Sequence, residues 1–207
     1  MIERKSAILV PGIGPLPWAY KIIASGFKTY GVEMDFFPVE WWSSEKNKFS
    51  EAQARFFDRI DKLYNGRDRV SLLGISAGGP FTLGALVSLE GMIRNVVTVA
   101  GCNSPKNETN KMAYEKLYEG NKVFEEMIEN LDGTMETLKN RRDLIEKVTT
   151  YVNIGDDVVP NKSQSFDGAK LVYLRNIKFP SLTYHESSIV LGMVSKSGEM
   201  AKFLKRE

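Results

Sequence analysis

The chain has 207 residues, 43% of them hydrophobic and 26% charged, with a formal net charge of +2. That length suits one domain burying about 70% of its unfolded surface, and the near-neutral charge gives no electrostatic reason to expect a nucleic-acid partner. No apolar run approaches the roughly 18 residues of a membrane span, the run at 7–10 is too short for a secretory signal, and one cysteine, Cys102, allows no intrachain disulfide, so a reducing, cytoplasmic location is the expectation.

Short apolar runs alternate with helical patterns along the whole length. Strands are expected over 7–10, 32–37, 70–75, 96–100, 149–154 and 171–174. Helices are expected over 18–30, 50–65, 78–89, 110–130, 135–147 and 188–205. This alternation is the signature of parallel strands joined by crossover helices, an α/β protein with about six strands in one sheet and helices on both faces.

One connection holds a helix too many. A parallel crossover needs a single helix, yet residues 103–147 carry two helical patterns. The second, through Met135, Leu138, Arg142 and Ile145, suits the crossover. The first places Tyr114, Leu117, Tyr118, Phe124, Met127, Ile128 and Leu131 on one side and acidic residues around the other. Lying after the fourth strand, where open α/β sheets bind ligands, it is expected to act as a lid or pocket wall.

The most informative stretch is Gly74-Ile75-Ser76-Ala77-Gly78-Gly79. A branched, apolar strand run ends there, and Pro80 opens a helical pattern in a first turn where its missing N–H costs nothing. So tight a strand-to-helix turn forces the central residue into a strained backbone, and the flanking glycines let the two segments approach. Ser76 is thereby presented at the sheet edge as a nucleophile.

A serine hydroxyl at neutral pH needs a base, and the base needs an orienting carboxylate. The chain has one histidine, His185, between the last strand and the last helix. Ahead of it, a strand exit reads Asn153-Ile154-Gly155-Asp156-Asp157-Val158-Val159-Pro160. One aspartate there can face the histidine while the other caps the loop. The order nucleophile, acid, histidine is the one expected of a Gly-x-Ser-x-Gly elbow.

Taken together, Val10-Pro11-Gly12-Ile13-Gly14, the Ser76 elbow, the Asp156-Asp157 exit and His185 resemble the α/β-hydrolases, in particular their small, minimal lipase/esterase branch. The resemblance implies an α/β-hydrolase fold lacking the first two strands. It implies Asp156 as the acid, because the family carries that residue four positions before a proline. It implies an oxyanion hole from the N–H of Ala77, at the helix start where the dipole favours negative charge, and that of Ile13 in a loop similar to the family's His-Gly-x-Gly, with Pro11 in place of the histidine. Residues 103–147 have no counterpart in it.

The expected activity is hydrolysis of a small-molecule carboxylic ester or thioester through an acyl-serine, with no cofactor. An acyltransferase with the same triad, or a non-catalytic small-molecule receptor on the same fold, would use the same residues. Trp18, Trp41, Trp42, Tyr114 and Tyr118 are candidate substrate-pocket residues, each equally suited to packing. Cys102 leaves the fourth strand at the same edge, but one thiol and one histidine make a poor metal site, and a buried small hydrophobe is the better account of it. Oligomeric state leaves no mark on the sequence.

Overall fold

A computed structural model describes residues 4–14, 17–42, 48–64, 66, 68–104, 120–174 and 182–207. Strands β1 (Lys5–Val10), β2 (Val32–Phe36), β3 (Val70–Ile75), β4 (Ile93–Val99), β5 (Val148–Asn153) and β6 (Lys170–Leu174) form one parallel sheet in the order β2-β1-β3-β4-β5-β6. The helices are α1 (Pro17–Thr29), α2 (Phe49–Leu63), α3 (Gly78–Ser88), α4 (Lys122–Asn140), α5 (Arg142–Ile145), α6 (Asn161–Gln164) and α7 (Tyr184–Leu204).

Alternation along each strand feeds two cores. Ile8, Val10, Leu72 and Val96 face α2, α3 and α4 on one side, while Ala7, Leu9, Leu73, Ile75 and Val97 face α1 and α7 on the other. With both faces covered, the central strands carry almost uninterrupted apolar side chains, and all of β3 is buried. The chain steps outward from β1 to β2, then returns past β1 to place β3. That reversal opens a crevice beyond the C-terminal ends of β1 and β3, the place where parallel sheets bind ligands.

The sequence expectations need three corrections. The patterns at 110–130 and 135–147 are not two separate helices: Lys122–Asn140 is one helix, started by Asn121, whose side chain accepts from the Phe124 N–H at 3.0 Å. Gly133 does not stop it, because Leu131 and Leu138 on either side are buried and hold the helix down. The break falls at Arg141 instead. Residues 110–119 of the expected lid, with Tyr114 and Tyr118, lie outside the described residues, and 122–130 is the packed first half of α4, which buries Val123, Phe124 and Met127.

The fourth strand begins earlier than read, at Ile93, since Arg94 and Asn95 are polar yet buried. Asn95 Nδ2 donates to the carbonyls of Phe203 and Arg206 at 2.9 and 2.6 Å, closing the end of α7. The last helix likewise begins at Tyr184 rather than 188. Its start is a capping box: the Glu186 N–H donates to Thr183 Oγ1 at 3.0 Å, and the Thr183 N–H donates to Glu186 Oε2 at 2.9 Å.

Candidate active site

Ser76 follows the last residue of β3 with φ at 51°, the left-handed region that a residue with a Cβ enters only at a cost of about 1–2 kcal/mol. The turn is held there by its neighbours. The Ser76 N–H donates to Val99 O at 2.9 Å, and its own carbonyl accepts from the Gly79 and Cys102 N–H groups at 2.9 and 3.3 Å. No side chain fits beside this turn. A Cβ on Gly74 would meet the carbonyl of Gly78, and one on Gly78 would meet the carbonyl of Val10.

Ser76, Ala77, Ile13 and His185 line one cavity of about 200 Å³, with Cys102, Phe124, Val158, Thr183 and Glu186 completing its wall. Among the described residues no hydrogen bond joins Ser76 to His185, and the N–H groups of Ile13 and Ala77 meet no backbone acceptor.

His185 is the second residue of α7 and is 7% exposed. Its Nδ1 lies 2.7 Å from Asp156 Oδ2, and the Asp156 side chain is fully buried. A buried carboxylate must be hydrogen-bonded on every side. Here Oδ1 accepts the N–H groups of Val158 and Val159, both at 2.8 Å. Oδ2 accepts from Asn153 Nδ2 at 3.0 Å and Gln164 Nε2 at 3.3 Å.

Asp157, one residue on, does different work. Its carboxylate accepts the Tyr184 and His185 N–H groups at 3.2 and 3.0 Å. It thus satisfies two orphan donors at the start of α7 and holds the His185 backbone.

Gln164 is a member of this site that no sequence pattern announced. It sits fully buried at the end of α6, an unforeseen four-residue helix. Its Oε1 accepts the Asn153 N–H at 2.6 Å, and its Nε2 donates to Val159 O at 2.7 Å as well as to Asp156. One carboxamide ties the end of β5 to the loop that carries the acid. By contrast, the Thr183-x-x-Glu186 spacing is a capping-box signal legible in the sequence, just ahead of the helix expected over 188–205.

The candidate pocket residues separate. Trp18 is 54% exposed on α1 and lines neither the Ser76 cavity nor the groove beside it. Trp41 is buried against the rings of Phe81 and Phe124, both at 6.2 Å. Trp42 is 64% exposed. Both tryptophans line an apolar groove of about 520 Å³ that shares Pro11, Gly12 and Gly14 with the turn after β1.

Tyr20 closes that groove from α1. Burial pushes its phenol up to about 12, a hydrogen bond from the Gly12 backbone opposes the shift, and the Glu186 carboxylate adds to it. The hydroxyl is therefore neutral throughout the physiological range. Among the described residues no group of three or more His, Cys, Asp and Glu side chains is arranged to hold a metal ion, and no helix is long and apolar enough to cross a membrane.

No protein-family model and no curated protein sequence matches this chain. Solved structures do. One, from work on LipS and LipT, two metagenome-derived lipolytic enzymes, superposes with a TM-score of 0.65 at 12% identity, covering 97% of this chain and 94% of that one. Est1E from Butyrivibrio proteoclasticus with ferulic acid bound superposes with a TM-score of 0.64 at 12% identity, covering 100% and 92%. A monoacylglycerol lipase from Paleococcus ferrophilus gives 0.52 at 15% identity, covering 94% and 96%. Parallel six-stranded order, strand–serine–helix turn and full-length superposition agree: this chain has the α/β-hydrolase fold.

Proposed function

We propose that the protein is a serine hydrolase that cleaves carboxylic esters or thioesters through an acyl-serine intermediate. The observation that carries the reading is one arrangement. Ser76, strained at φ 51°, shares a cavity with His185, whose Nδ1 stands 2.7 Å from the buried Asp156. Lipolytic and esterase neighbours on the same fold support it.

In the proposed reaction His185 Nε2 takes the Ser76 hydroxyl proton as Oγ bonds to the substrate carbonyl carbon. The developing oxyanion accepts the N–H groups of Ile13 and Ala77, which need no reorganisation because the elbow and the 11–14 loop already fix them. The imidazolium then gives its proton to the leaving alcohol or thiol as that bond breaks. Water repeats the sequence on the acyl-serine and releases the acid. Asp156 accepts from Nδ1–H throughout, which fixes the tautomer and stabilises the charged ring.

The test is labelling with a fluorophosphonate, followed by mass spectrometry and by competition with short- and long-chain esters. A single adduct on Ser76, lost in Ser76→Ala together with ester turnover, is the expected result. An adduct on another serine, or undiminished turnover in Ser76→Ala, would sink the reading.

A further inference from the structure

The turn after β1 is a partition. Ile13 lines the Ser76–His185 cavity of about 200 Å³, whereas Pro11, Gly12 and Gly14 line the groove of about 520 Å³ on its other side. Gly12, in the lining of the groove, abuts Ser76. A Cβ built on it would lie 3.2 Å from Ser76 Oγ, so the groove begins one glycine away from the reacting oxygen.

The groove is walled by carbon. Phe36 and Trp42 present rings that are 43% and 64% exposed, with Pro38 and the buried Val39 and Trp41 beneath. Two of the rings are fixed from behind: Tyr20 packs on Phe36 at 5.9 Å, and Trp41 is locked against Phe81 and Phe124. Among the described residues no lysine or arginine lines it, and the one charged residue there is Glu40, whose carboxylate lies 3.5 Å from Arg55. A carboxylate or phosphate entering here would lose water beside apolar walls and the Glu40 carboxylate. A neutral ring would stack on preorganised faces at little entropic cost.

Chemistry decides which half of an ester enters. The leaving group must stand beside the histidine that protonates it, and His185 lines the small cavity but not the groove. The acyl group therefore runs the other way, past Gly12. Resting on the hydrolase reading above, we propose that the groove of Phe36, Pro38, Trp41 and Trp42 is an acyl-binding site, and that the preferred substrates carry an uncharged, aromatic acyl group joined to a compact alcohol or thiol.

The test has a kinetic arm and a binding arm. In the first, p-nitrophenyl esters of acetic, hexanoic, 3-phenylpropionic and succinic acids share one leaving group. The expected order of kcat/KM places 3-phenylpropionyl at least about tenfold above acetyl, the gain available from a filled apolar pocket, with the succinyl monoanion lowest. Trp42→Ala and Phe36→Ala are expected to collapse the phenylpropionyl-to-acetyl ratio by about tenfold.

In the second arm, Ser76→Ala protein is titrated with neutral 4-phenylbutan-2-one and, for comparison, butan-2-one, followed by tryptophan fluorescence. Saturable binding of the aryl ketone, weakened about tenfold when Trp42→Ala is added, is expected. An acyl preference untouched by both variants, or aryl-ketone binding indifferent to Trp42, overturns the groove assignment. If instead wild-type protein turns over no ester while the ketone binds through Trp42, the hydrolase reading fails and the groove stands as a site for neutral aryl ligands.

Discussion

Gly12 stands so close to Ser76 that a methyl group on its Cα would lie 2.6 Å from the serine Cβ and 3.0 Å from the carbonyl of Ile75. Neither contact can relax, since one partner is backbone and the other is a turn pinned by three hydrogen bonds. Gly12→Ala must therefore displace the 11–14 loop, and with it the Ile13 N–H. The expected outcome is a loss of about 10²-fold in kcat, the usual consequence of an ångström-scale misplacement, with thermal unfolding showing a folded protein. Wild-type kcat in this variant would count against the loop as an oxyanion donor.

The two adjacent aspartates should part company on mutation. Asp156→Asn keeps the shape but removes the charge facing Nδ1, and kcat is expected to fall by about 10³- to 10⁴-fold. Asp157→Ala removes the acceptor for the Tyr184 and His185 N–H groups, expected to cost about 1 kcal/mol of stability while leaving kcat within about tenfold, because Thr183 still caps α7. Steady-state kinetics beside denaturant melts check both. Reversed sensitivities would exchange the two roles.

Gln164 offers a test of positioning rather than of chemistry. Gln164→Leu strands the buried Asn153 N–H and Val159 carbonyl, so a stability loss of about 2–4 kcal/mol is expected from the unmet groups. Gln164→Glu keeps the volume but sets a second carboxyl beside Asp156, and like charges raise one another's pKa. The acid limb of its kcat/KM–pH profile is expected to move upward relative to wild type. An unmoved limb would make Gln164 a packing residue only.

Alkaline stability follows from Tyr20. Its pKa is raised from 10.0 to about 12 in the folded protein, first by burial. Below pH 10 both folded and unfolded chains hold the proton and the full stability is present. Between about 10 and 12 only the unfolded chain gives it up, so stability falls, by about 1.4 kcal/mol per pH unit for one such group. Burial and the Glu199 carboxylate raise Tyr151 as well, adding to the same decline. Denaturant midpoints from pH 9 to 12 should drop less steeply in Tyr20→Phe than in wild type, and parallel curves would contradict the assignment.

Much of this was legible without coordinates because its causes are local. Alternating branched residues specify strands, and Gly74, Ser76, Gly78 and Pro80 specify a turn that admits little else. The strand runs at 70–75 and 171–174 therefore reappear within a residue in β3 and β6. Where local cues misled, a distant partner was the reason. The strand expected over 96–100 starts at Ile93, where Asn95 closes the end of α7, and the helices expected over 110–130 and 135–147 join across Gly133 because Leu131 and Leu138 are buried.

The amino-acid sequence by itself determined the parallel α/β architecture, the strained serine and the chain order of Ser76, Asp156 and His185. Only the tertiary structure decided which aspartate meets the ring, that Gln164 holds it, that Gly12 abuts Ser76, and that Trp41 and Trp42 wall a groove while Trp18 does not. Backbone geometry is imposed by near neighbours, whereas side-chain encounters depend on which strand ends the sheet order brings together. His185 and Asp156, 29 residues apart in the chain, touch because β5 ends and α7 begins at the same rim.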